Sequence, residues 1–172
     1  MKELKTTSSS FINFNQKIGF LFDGKKIFGF KGDTIASALL RNNINLVGRS
    51  FKYHRPRGIY TCGIEEPNAL VQIISEYSEP NTRATIKKIY EGMEVESQNR
   101  WPSLDNDIGS INSLFSPLFS AGFYYKTFMG PHKSFWKKIY EPIIRRAAGL
   151  GKPPKEFRAL SSHFHHNVDI VI

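Results

Sequence analysis

Four cations stand within nine residues, at Arg49, Lys52, Arg55 and Arg57, with His54 among them and Phe51, Tyr53 and Tyr60 interleaved. No Asp or Glu occurs between Asp33 and Glu65, so no carboxylate close in sequence neutralises this patch. Cations with rings between them can hold a phosphate or carboxylate, stack nucleic-acid bases, or dock on an acidic protein face. Pro56 and Gly58 stiffen the loop, which favours an anionic cofactor or an acidic subunit surface over a nucleic acid. No recognised DNA- or RNA-binding signature accompanies it.

Other reactive side chains are fewer and worse placed. Cys62 is the sole cysteine, which rules out an intramolecular disulfide and any multi-cysteine metal cluster built from this chain. Paired with His54 it has the composition of a thiol nucleophile and its base, yet a single cysteine more often serves as a small apolar residue. Glu65 and Glu66 are adjacent, so their side chains splay and make a poor acid/base pair. His163, His165, His166 and Asp169 form a compact ligand set, but their spacing matches no closed zinc pattern.

The chain of 172 residues is long enough for one domain with a core, or a small domain plus an extension. Its net charge of +9 points to an anionic partner or to a solvated basic surface. No window approaches the roughly 18 uninterrupted apolar residues of a membrane span. No apolar run of signal-peptide length opens the chain. The expectation is a soluble, cytoplasmic protein that contacts no membrane.

The elements that must position the basic loop read as follows. Residues 1–14 are polar and are expected to form a flexible tail. Two apolar arms flank Asp23-Gly24, a dipeptide suited to the positive φ angles of a tight hairpin. Asp33 is placed to cap a helix whose apolar face carries Ile35, Ala38 and Leu39, widened by Ala36 and Leu40, with Asn42 and Asn43 as its stop. Residues 69–74 predict a third strand, followed by a turn at SEPN, residues 78–81. Residues 84–97 predict a fourth, turning at Glu91-Gly92. Hairpin, helix and further strands are the order of a β-grasp module in the α+β class.

Beyond residue 97 the alternation stops. Asp107 could cap a short helix carrying Ile111, Leu114 and Phe115. Phe135, Ile139, Ile143 and Ala147 lie at helical spacing and predict a core-facing stripe, kinked or divided by Pro142. NVDIVI, at 167–172, reads either as a C-terminal strand or as the first strand of a dinucleotide-binding unit, which needs a Gly-rich turn after it.

The stretches GRSFKYHRPRG, EEPNALV, TRAT, ESQNRWPSL, SPLFSAGFYYKTFM and EPIIRRAAGLG, in that order, resemble the N-terminal part of the alpha subunit of heterotetrameric sarcosine oxidase. The resemblance implies a β-grasp domain at 15–97, a helical or irregular connecting region at 98–160, and the start of a truncated FAD/NAD-binding domain at 161–172. The module is similar to plant-type ferredoxin domains, which hold a 2Fe–2S cluster through a Cys-x4-Cys-x2-Cys segment and a fourth cysteine. Aligned on that pattern, Thr61, Glu66, Ala69 and Thr85 stand where the four ligands would be, so the resemblance implies a fold without a cluster.

The family oxidises sarcosine to glycine, with tetrahydrofolate and oxygen as acceptors. The resemblance implies FAD, FMN, NAD and tetrahydrofolate for the full complex, with zinc on its delta subunit. None is expected on this chain alone, no catalytic residue can be carried over, and the implied partners are the remaining alpha domains and the beta, gamma and delta subunits. The expected role is structural, part of an oxidoreductase that is inactive alone, with Arg49, Lys52, Arg55 and Arg57 as its docking or anion loop. The alternative is a free-standing ferredoxin-like interaction module of an amino-acid dehydrogenase complex, and a weaker third reading is nucleic-acid binding.

Overall fold

The computed structural model describes residues 11–75, 78–117 and 132–147. Strands β1 (Asn13–Phe22) and β2 (Lys25–Lys31) pair antiparallel across the Asp23-Gly24 turn. Both turn residues take positive φ, 49° and 76°, the geometry that matches the twist of the flanking strands. Asp23 does more than turn. Its carboxylate accepts from Ser97 N and Oγ at 2.8 and 2.6 Å and pairs with Arg100 at 2.8 Å, fastening the hairpin turn to the 97–100 segment.

Helix α1 (Ile35–Arg41) buries Ile35, Ala36, Ala38 and Leu39. Its N-cap is Thr34 rather than Asp33, in a capping box with Ser37. Asp33 lies one residue outside the helix, where its fully buried carboxylate accepts from Phe30 N and Ser37 Oγ and faces Arg41 at 3.4 Å. The expected widening of the apolar face by Leu40 does not occur, since that side chain is half exposed. The helix ends at Asn42, and Asn43 turns the chain away at φ 60°.

Short strands β3 (Gly48–Arg49) and β4 (Pro56–Arg57) then form a separate two-stranded hairpin. The main sheet is completed by β5 (Leu70–Ile73), β6 (Glu79–Arg83) and β7 (Glu94–Ser97), in the order β2-β1-β7-β5-β6. The central β1–β7 pair is parallel and its neighbours are antiparallel. With α1 lying across it, this is a β-grasp. Phe20, Phe22, Val71, Ile73, Met93 and Val95 meet Ile35 and Leu39 in the core.

Two expectations for the strands fail for identifiable reasons. The SEPN stretch, read as a turn, contributes Glu79, Pro80 and Asn81 to β6. β6 is the edge strand, where proline's missing donor is tolerated, and the register shift opposite it accommodates Asn81 at φ 56°. Residues 84–89, read as a strand arm, instead wrap the start of α1. Ile35 N donates to Lys87 O and Ala36 N to Ala84 O, so this segment satisfies amides that the first helical turn leaves unpaired.

Past β7, a 3₁₀ helix (Ile108–Ser113) begins at Asp107, whose carboxylate accepts from Gly109 N as the sequence predicts. The last described stretch runs from α2 (Lys133–Phe135) through a π-type turn (Trp136–Tyr140) into α3 (Glu141–Ala147). The wider turn falls directly before Pro142, which cannot donate to the helix ladder, and divides the helix there. Three residues of the stripe expected to face a core do not. Phe135, Ile139 and Ile143 are 36%, 42% and 61% exposed. The histidine set at 163–169, the NVDIVI strand at 167–172, the rest of the 161–172 domain start and the 1–10 part of the tail lie outside the described residues.

Candidate functional site

The basic loop is built on the β3–β4 hairpin. Ser50 N donates to Arg55 O and His54 N to Ser50 O, closing the loop on itself. Its four cations separate into distinct environments. The Arg49 side chain is only 9% exposed, and its guanidinium donates to the carbonyls of Leu104 and His54. Lys52 and Arg55 both lie over the Tyr53 ring, at 5.0 and 4.8 Å from its centroid. Arg55 and Arg57 are exposed.

A carboxylate does reach this loop, from a segment distant in sequence. Asp107, itself buried, places Oδ2 2.6 Å from His54 Nδ1 and 4.0 Å from Arg49 Nε, while Oδ1 accepts from Trp101 N and Gly109 N. Asn99 adds two bonds from Nδ2 to the carbonyls of Arg49 and Ser50. His54 sits at φ 52°, an uncommon backbone state for a non-glycine residue, and these contacts over-determine it. The 98–109 segment thus clamps the loop and draws Arg49 inward, leaving Arg55 and Arg57 as its outward charges. The role of Asp107 had no local signal beyond its helix cap.

The second half of the region, 60–69, is organised differently. Glu66 is 1% exposed. Its Oε2 accepts from Tyr60 N at 2.8 Å, Thr61 N at 2.6 Å and Thr61 Oγ1 at 3.2 Å. Its Oε1 accepts from Asn68 N at 2.8 Å and Ala69 N at 3.1 Å. Burial works to raise its pKa, and the backbone bonds from Thr61, Asn68, Ala69 and Tyr60 outweigh it, so the carboxyl stands below its ordinary value. Glu65 points to solvent, as adjacent residues that splay must. Thr85 is buried and its Oγ1 donates to Gly63 O at 2.7 Å, tying the loop to the segment after β6.

Thr61, Glu66, Ala69 and Thr85 therefore converge on one loop. The sequence offers Glu66 as half of a poor acid/base pair and as an altered ligand position, and neither reading contains the donors it accepts from. The available signal was local: a carboxylate placed two and three residues before free amides can bond them both. Cys62 is exposed, and His54, its suggested base, is engaged with Asp107. Among the described residues no group of His, Cys, Asp and Glu is arranged to hold a metal ion, and no helix is long and apolar enough to cross a membrane.

A cleft of about 260 Å³ joins the two halves, with Phe51, Arg57, Pro67, Asn68 and Gln98 in its wall. Gln98 Nε2 is buried there without a hydrogen-bond partner among the described residues.

Comparison with known proteins adds four findings. A family model described as "2Fe-2S iron-sulfur cluster binding domain" matches residues 15–100. The chain is 57% identical over 91% of its length to sarcosine oxidase subunit alpha of Rhizobium meliloti (strain 1021), of which it spans 16%. Identity to the same subunit from Corynebacterium sp. (strain U-96) is 42%, over 39% of this chain and 7% of that one. Among solved structures, L-proline dehydrogenase from P. horikoshii matches 48% of this chain and 16% of its own, at 28% identity and a TM-score of 0.40.

Proposed function

Because the chain belongs to the 2Fe-2S iron-sulfur cluster binding domain family, we propose that it is a member that has lost the cluster and serves as an assembly module of a sarcosine oxidase alpha subunit. The observation that carries this reading is the 57% identity over 91% of the chain to such a subunit. In this role 15–97 is the folded module, 98–160 connects it onward and 161–172 opens a nucleotide-binding domain.

The residues at the cluster positions do not fit an iron–sulfur cluster. Thr61, Glu66, Ala69 and Thr85 supply no thiolate, and a 2Fe–2S centre of the plant type needs four. Electron transfer through this module is therefore not part of the proposal. Oxidation of sarcosine, with FAD, FMN, NAD and tetrahydrofolate, belongs to the assembled cytoplasmic enzyme, and this chain alone is inactive.

The module's contribution is docking. Arg55 and Arg57 are exposed cations on a loop held rigid by Asp107 and Asn99, and a pre-set guanidinium loses little freedom on meeting a partner carboxylate. Arg55→Glu with Arg57→Glu leaves the module folded and weakens its association with the beta, gamma and delta subunits and the rest of alpha, read by co-purification. Unchanged co-purification would remove the loop from the interface. Iron and labile sulfide assays on the purified chain should both be blank, and stoichiometric iron overturns the loss of the cluster.

A further inference from the structure

The loop 60–69 carries a feature that the docking role does not use and that stands independently of it. Four backbone amides and one hydroxyl, from Tyr60, Thr61, Asn68 and Ala69, aim at a single point. In a cluster-binding relative the corresponding segment surrounds an anionic iron–sulfur group whose sulfurs accept hydrogen bonds. Here the point holds the Glu66 carboxylate. We propose that Glu66 is the loop's own anion: the segment is a nest of donors that must enclose a negative charge, and the chain fills it from within.

Three observations support this. Glu66 is 1% exposed, so the carboxylate is part of the interior and not a surface group resting on the loop. Arg83, on β6, donates Nε to the Glu66 backbone carbonyl at 3.3 Å, while the hydrogen bonds to the carboxylate come from backbone amides and the Thr61 hydroxyl. The carboxylate charge is thus met by amide dipoles, as in backbone nests that bind free anions. Lastly, Oε2 takes the donors that precede Glu66 and Oε1 those that follow it, so the one side chain ties both halves of the loop together. Pro67 stands between the two sets and has no N–H to leave unpaired.

A nest of this kind is selective for a compact carboxylate. Removing the Glu66 side chain beyond Cβ leaves the donors pointing at a space that formate matches in charge and shape. The test uses the 172-residue chain alone, with no partner subunit or substrate, so its outcome is separate from that of the docking experiment. Thermal unfolding of Glu66→Ala is followed while sodium formate is titrated, with sodium chloride at matched ionic strength as control. The variant melts lower than wild type and recovers saturably with formate but not chloride, while wild type responds equally to both salts.

Should Glu66→Ala fail to fold in buffer, it is refolded from urea in each salt, and recovery in formate only supports the nest. No recovery in either salt, or equal recovery in both, overturns it. Amide exchange in Glu66→Gln is the second readout. The amide side chain keeps the volume but loses the charge, and the N–H groups of Thr61, Asn68 and Ala69 then exchange about tenfold faster or more, the loss expected for a charge-assisted bond. Unchanged exchange at those three positions also overturns the proposal.

Discussion

The two halves of the 48–73 region each close around one buried carboxylate, and they do so in opposite ways. Asp107 comes to the basic loop from 53 residues beyond His54 and meets side chains, an imidazole and a guanidinium, together with two amides. Glu66 arises inside its own loop and meets backbone donors and one hydroxyl, none more than six residues away. The first closure spans 53 residues, and bringing such distant ends together costs entropy that local contacts do not. The second is available to the segment as soon as it turns. One carboxylate sets how the module presents its outward cations. The other ties together the two ends of the 60–69 loop.

The sharpest way to break this contrast is to remove the long-range carboxylate. Asp107→Ala strands His54 Nδ1 and Arg49 and frees two amides, and it should cost about 2–4 kcal/mol in urea unfolding. A cycle with His54→Ala should return a coupling of about 1 kcal/mol or more. A value near zero would mean that the clamp is incidental to the loop.

Acidification probes the local carboxylate next. The Glu66 carboxyl lies below its ordinary value of 4.5 in the folded chain. A depressed pKa contributes stability that is full above 4.5 and is lost as pH falls through the lower folded-state value. The stability gap between wild type and Glu66→Gln should therefore be constant near neutrality and narrow below pH 4.5. A gap that stays constant into strong acid would show that the charge on Glu66 is not what the loop uses.

Thr85→Val has the smallest expected effect. It keeps the side-chain shape, removes the bond to Gly63 O and should cost about 1 kcal/mol in the same unfolding assay. A cost several times larger would make the segment after β6, rather than Glu66, the main support of the loop.

Much of the fold was legible because its signals are local. Asp23-Gly24 carries the hairpin turn in its backbone preferences, Asn42 and Asn43 stop the helix, and Asp107 caps the 3₁₀ helix through its own neighbours. The misreadings share a cause as well. Pro80 reads as a turn residue until the strand holding it is known to be an edge. Residues 84–89 read as a strand until the free amides at the start of α1 claim their carbonyls. The apolar stripe at Phe135, Ile139 and Ile143 has helical period, and period alone does not say what lies against it.

For the candidate site, the family resemblance implies that Thr61, Glu66, Ala69 and Thr85 stand at the ligand positions, and the sequence by itself determined that one cysteine cannot supply the four thiolates a plant-type cluster needs. Residue identity suffices for that, since thiolate ligation needs thiols. Only the tertiary structure decided that Arg49 is an internal strut held beside Asp107, that Arg55 and Arg57 remain outside, and that Glu66 is enclosed by its own loop. Burial and pairing are properties of the whole packing. A carboxylate's partner can stand three residues away or fifty, and the free energy that selects between them is shared with every strand that brings the two together.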